Sequence, residues 1–94
     1  MALYAITQMK KGQKIKLESF NGTTIPDNDT DDHENYWKLI NEKGTLISFA
    51  HEKGVSNKSR VLIKFDNDVK SMGLECHNDE PNSLWILASD LSKL

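Results

Sequence analysis

The 94 residues include one cysteine and two prolines, and no apolar run approaches the roughly 20 residues that a membrane-spanning helix needs. Cys76 cannot form an internal disulfide, which excludes the cross-linked frameworks of small secreted domains and leaves packing to hold the chain. The apolar opening Met1-Ala2-Leu3-Tyr4-Ala5-Ile6 lacks the preceding positive charge of a secretory leader, because Lys10 and Lys11 come after it. These absences point to a cytoplasmic protein with no membrane partner.

Catalytic equipment is also scarce. The five glycines, at positions 12, 22, 44, 54 and 73, have neither phosphate-loop nor dinucleotide-binding spacing. Ser83 and Ser89 lack a nucleophile-elbow sequence. Cys76 and His77 are adjacent, and on a strand neighbouring side chains point to opposite faces, so Cys76 reads as a core residue. A domain this small buries only about 60–65% of the surface its unfolded chain exposes, which leaves little room for a deep cleft. The chain therefore reads as noncatalytic.

Metal binding is not expected either. Cys76, His33, His51 and His77 lie on three separated segments without the paired spacing of a zinc site. Asp27, Asp29 and Asp31 imitate the first three ligands of a calcium loop. Asp32, however, stands where the glycine belongs, and Lys38 where the bidentate glutamate belongs. The reading is a solvated acidic loop, with no cofactor.

What the chain does have is charge arranged in blocks. Residues 1–20 carry a net +3, Asp27 to Glu34 −5, Lys38 to Lys64 +4 and Asp66 to Glu80 −4, within a formal total of −2. No global field favours nucleic acid or an anionic membrane, so any such binding requires a local patch.

The hydrophobic pattern predicts five short strands. Lys14-Ile15-Lys16-Leu17-Glu18 alternates with period two, and Asn21-Gly22 favours a tight reversal after it. Asp31 and Glu34 have capping-box spacing before Tyr36, Leu39 and Ile40, which predicts a short helix or 3₁₀ turn, with a strand as the competing assignment. Thr45 to His51 and Arg60 to Phe65 read as strands, the latter placing Val61, Ile63 and Phe65 on one face. Val69 to His77 reads as a fourth extended segment in which Gly73 marks a bulge or a close backbone approach. Leu84 to Ala88 is the fifth, and Ser89-Asp90-Leu91 caps a terminal helical turn.

In this order the phrases Tyr36-Trp37-Lys38-Leu39-Ile40, Gly44-Thr45-Leu46-Ile47, Arg60 to Asp66, Gly73 to Asn78, Pro81 to Leu87 and Ser89-Asp90-Leu91 resemble the SH3-like barrel group and small bacterial proteins. The resemblance implies a mainly β chain, a single five-stranded SH3-like barrel over residues 12–92 with one or two short helical turns. Residues 1–9 are then an N-terminal extension. It implies a binding scaffold and carries over no ligand residues.

Two functions follow as expectations. The first is a noncatalytic protein-binding module, such as a bacterial immunity-type inhibitor that covers a basic toxin domain, for instance a nuclease, by steric and electrostatic complementarity. Its contact residues would be Asp27, Asp29, Asp31, Asp32, Glu34, Tyr36 and Trp37. The bland reading of the aromatics is that Trp37 closes one barrel end and Trp85 packs in the core. The second is a small nucleic-acid-binding barrel using Lys14, Lys16, Arg60 and Lys64, whose bland reading is solubility and edge protection.

Overall fold

The computed structural model describes residues 9–94. Five strands, β1 (Lys14–Leu17), β2 (Lys43–Phe49), β3 (Arg60–Phe65), β4 (Ser83–Leu87) and β5 (Leu91–Lys93), form one antiparallel sheet in the order β4-β3-β2-β1-β5. The first four make a meander, and β5 returns to the free side of β1 through Ile15↔Lys93, Lys16↔Ser92 and Leu17↔Leu91. Five 3₁₀ turns, Asp32–Glu34, Tyr36–Leu39, Ala50–Lys53, Val69–Met72 and Ala88–Asp90, connect or flank the strands.

Alternation decides which face is buried. Ile15 and Leu17 of β1, Leu46 of β2, Val61, Ile63 and Phe65 of β3, and Leu84 and Ile86 of β4 join one core cluster. Leu39, Val69 and Leu74 close over it from the connecting segments. Met9, expected in an extension outside the folded range, is 6% exposed and belongs to this core. The opposite face carries Lys14, Lys16, Arg60 and Lys64, as the period-two pattern requires. Between β2 and β3 the register slips between Leu46 and Ser48, so Ile47 is the extra residue of a bulge.

Gly44 sits where β2 and β3 approach most closely. A Cβ there would lie 2.8 Å from Ile63 Cγ2 and 2.8 Å from the Lys64 carbonyl oxygen, so only a residue without a side chain fits.

The barrel expectation is overturned. β4 and β5 are the two ends of the sheet and do not pair with each other, so the sheet is open and the SH3-like resemblance does not hold. Closure needs a consistent tilt and stagger around all strands and a bond between the two edges. Here the Ala88–Asp90 turn carries the chain away from β4 and delivers β5 to β1.

The predicted fourth strand is also corrected. Val69–Met72 is a 3₁₀ turn whose N-cap Asp68 accepts the Lys70 amide through its carboxylate, and Gly73 ends it at φ 81°. Local capping outcompetes the extended pattern there. The capping box predicted for Asp31 and Glu34 does not form, since no side-chain cap bond is made at Asp31, although the helical segment itself resolves into two 3₁₀ turns.

An open sheet leaves edges, and each is managed differently. Along β4 the Ser83 carbonyl accepts from the Asn78 side chain at 2.8 Å, and the Trp85 carbonyl from Arg60 Nη1 at 3.1 Å. β5 is only three residues long. Short edges and occupied acceptors both discourage edge-to-edge association.

Candidate functional site

The predicted contact segment begins after the Phe20–Thr23 reversal. Phe20 and Thr23 exchange amide-to-carbonyl hydrogen bonds of 2.8 and 3.1 Å, with Asn21 at φ 51° and Gly22 at φ 82°, the positive values a tight hairpin turn demands. From here the chain leaves the sheet and does not return until Lys43. Ile25 is 75% exposed, and Asp27, Asp29, Asp31, Asp32 and Glu34 are all exposed. Asp27, Asp29 and Asp32 have no side-chain ion pair or hydrogen bond among the described residues.

The aromatics that follow have a different task. Trp37 meets Phe20 edge-on with centroids 4.9 Å apart, and Tyr36 lies tilted against the same ring at 5.5 Å. Trp37 Nε1 donates to Thr23 Oγ1 at 3.0 Å, and the Tyr36 hydroxyl donates to the Glu75 carbonyl at 2.7 Å. Burial, followed by the nearby Glu34 charge, raises the Tyr36 phenol above its ordinary range. Both rings are half-buried against the core. Both anchors lie just after the acidic segment, Trp37 joining it to the hairpin turn before the segment and Tyr36 to the loop after Gly73.

The four cations of the nucleic-acid expectation share the outer sheet face, but each already has a partner. Lys14 Nζ lies 2.7 Å from Asp66, Lys16 Nζ 3.3 Å from Glu18, and Lys64 Nζ 3.3 Å from Glu80. Arg60 donates to Asn21 Oδ1 at 2.7 Å and to the Trp85 carbonyl. Trp85 is half-buried on this same face, opposite Leu62 in the register, and is not a member of the core. Leu62, Val55, Lys53 and Trp85 border a shallow groove with His77, Asp79 and Glu80.

One grouping was not legible in the spacing of cysteines and histidines. Glu34 from the Asp32–Glu34 turn meets Glu75 and His77 from the loop after Gly73, with one ligand-capable atom from each within 4.8 Å of the others. His77 Nε2 stands 3.4 Å from Glu34 Oε1 and 3.5 Å from Glu75 Oε2. The backbone brings them together: the Glu75 amide donates to the His33 carbonyl at 2.9 Å, beside the Tyr36 anchor on the Glu75 carbonyl. The alternation of Glu75 and His77 was the available signal, but their partner lies 41 residues before Glu75 in sequence.

Cys76, between them, is half-buried and points to the core side, as its alternation suggested. Burial raises its thiol above the ordinary range, against weaker lowering by the Ser83 backbone.

No family model matches the chain, and neither does any curated protein or solved structure. Among the described residues no helix is long and apolar enough to cross a membrane.

Proposed function

We propose that the protein is a noncatalytic binding module that presents the acidic segment Asp27 to Glu34 to a basic surface of another protein. One observation carries the reading: Asp27, Asp29 and Asp32 stand exposed without side-chain partners among the described residues, whereas Lys14, Lys16, Arg60 and Lys64 are each engaged within the chain. Unpaired carboxylates project a field that raises the rate of encounter with a basic partner. Cations already paired to acids lose part of their attraction for phosphates, which disfavours the nucleic-acid alternative.

Trp37 and Tyr36 fix the chain where it leaves the segment, which lowers the ordering cost of binding at that end. Exposed Ile25, two residues before Asp27, supplies apolar area beside the charges. A toxin inhibitor that covers the basic active surface of a nuclease-like domain fits this combination: steering by carboxylates, steric cover by the body of the domain, and no chemistry of its own.

Affinity capture from the native cell lysate with the wild-type chain and the D27N/D29N/D32N variant tests it. A basic protein retained by the first and lost by the second supports the reading. Binding of labelled RNA or DNA at low salt that disappears in a K14Q/K16Q/R60Q/K64Q variant would replace it with the nucleic-acid alternative.

A further inference from the structure

We propose that Glu34, Glu75 and His77 form a binding site for a divalent first-row transition ion such as Zn²⁺. Two carboxylate oxygens and one imidazole nitrogen from two separate segments converge there, with all three within 4.8 Å of one another. The separations are informative. Two ligands each about 2.1 Å from a zinc ion and at the tetrahedral angle stand about 3.4 Å apart. The His77 nitrogen lies 3.4 and 3.5 Å from its two carboxylate neighbours. His77 Nε2 lies nearly equidistant from the two carboxylates and within ion-pair range of both.

The scaffold under the site is fixed independently of the three side chains. The Glu75 amide bonds the His33 carbonyl, and the Tyr36 hydroxyl bonds the Glu75 carbonyl, so the two segments meet whether or not an ion is present. A preformed arrangement loses little entropy on binding. The imidazole sets the class of ion: Ca²⁺ and Mg²⁺ prefer all-oxygen shells, whereas imidazole with carboxylates suits zinc and its neighbours. All three residues are exposed, so the remaining coordination positions are open to water. The ion would cross-link the acidic turn to the loop after Gly73 and stiffen the segment that carries the unpaired carboxylates. The site does not depend on the protein-binding proposal, since zinc affinity is read without any partner.

Isothermal titration calorimetry of the full chain with Zn²⁺ tests the proposal, using H77Q, E34Q and E75Q against an H51Q control. The expected result is one-to-one binding that H51Q leaves unchanged. Each triad variant should weaken it at least about tenfold, the lower end of what losing even a ligand's supporting partner costs. Imidazole NMR on the wild-type chain gives a second reading that needs no variant to fold: Zn²⁺ should move the His77 resonances more than those of His33 and His51. Equal affinity in H77Q, no binding at all, or displacement of Zn²⁺ by equimolar Ca²⁺ would overturn the assignment.

Discussion

Ser19 and Asp90, 71 positions apart, share a 2.6 Å hydrogen bond in which the serine hydroxyl donates to a carboxylate that is 1% exposed. The same carboxylate accepts from the Asn21 amide at 2.8 Å and the Gly22 amide at 3.0 Å, while the Asp90 carbonyl accepts from the Glu18 amide at 2.8 Å. Asp90 thereby joins the last turn of the chain to the reversal from which the acidic segment departs. Among the described residues no cation pairs with it; three donors compensate its burial. Replacing it by alanine leaves those donors without an acceptor and should cost about 3 kcal/mol, read as a lower midpoint in urea unfolding. D90N keeps the shape and part of the bonding and should lose less. Equal midpoints for D90A and wild type would remove Asp90 from the framework.

The way this turn is built shows what could be seen in advance. Asn21-Gly22 announces the reversal because its dihedrals suit those two residue types, and the alternation of β1 and β3 announces their faces. Both signals are local. Asp90 looks like an ordinary helical-cap residue until the chain has folded, because its donors come from the other end of the sequence. The open sheet was hidden for the same reason: strand count is a local property, whereas pairing of β5 with β1 in place of β4 is decided by where one short turn aims the chain. Val69 to His77 misled because Val69 and Leu74 are core residues in either conformation, and only the Asp68 cap and Gly73 distinguish a 3₁₀ turn from a strand. In the candidate site, the exposure of the five acids followed from their composition. The inward anchoring of Tyr36 and Trp37, and the meeting of Glu34 with Glu75 and His77, required the tertiary structure.

Gly44 provides a test of the packing between β2 and β3. Its missing side chain leaves room for Ile63 Cγ2 and the Lys64 carbonyl, and the latter is backbone that cannot swing aside. G44A should force the two strands apart and cost about 2–3 kcal/mol, with a lower Tm by calorimetry. Alanine at the solvent-facing Gly12, where no atom lies within 4 Å, is the useful comparison: its penalty comes from a φ of 84° and not from crowding. A G44A protein as stable as wild type would show that the strands separate freely.

The chemistry of Cys76 follows from its burial. Desolvation favours the neutral thiol, so the folded state holds that proton more tightly than the unfolded chain does. Stability from this group is fully present below the unfolded thiol's titration range and is lost as pH rises through the raised titration of the folded thiol. Alkylation, which needs the thiolate, should proceed several-fold more slowly in the native protein than in urea at pH 8, with its rate still climbing above the ordinary thiol range. Native and unfolded rates that coincide would mean that the thiol is fully accessible and that the loop after Gly73 does not shield it.

Trp37 separates anchoring from recognition. If its ring acts as a strut between Phe20 and the Tyr36–Leu39 turn, W37A should destabilise the domain by about 2–3 kcal/mol, somewhat below the loss for a fully buried aromatic because one side of the ring is exposed. W37F keeps the contact with Phe20 and gives up the bond to Thr23 Oγ1, so it should cost about 1 kcal/mol. The D27N/D29N/D32N variant removes no side-chain contact among the described residues and should unfold within about 0.5 kcal/mol of wild type. The two classes then divide cleanly: the carboxylate changes should lower the association rate for a basic partner without altering stability, with the difference shrinking as salt is added. Trp37 changes should lower stability first. A W37A protein that unfolds at the wild-type midpoint would transfer Trp37 from the framework to the contact surface, and urea unfolding of these three variants decides between them.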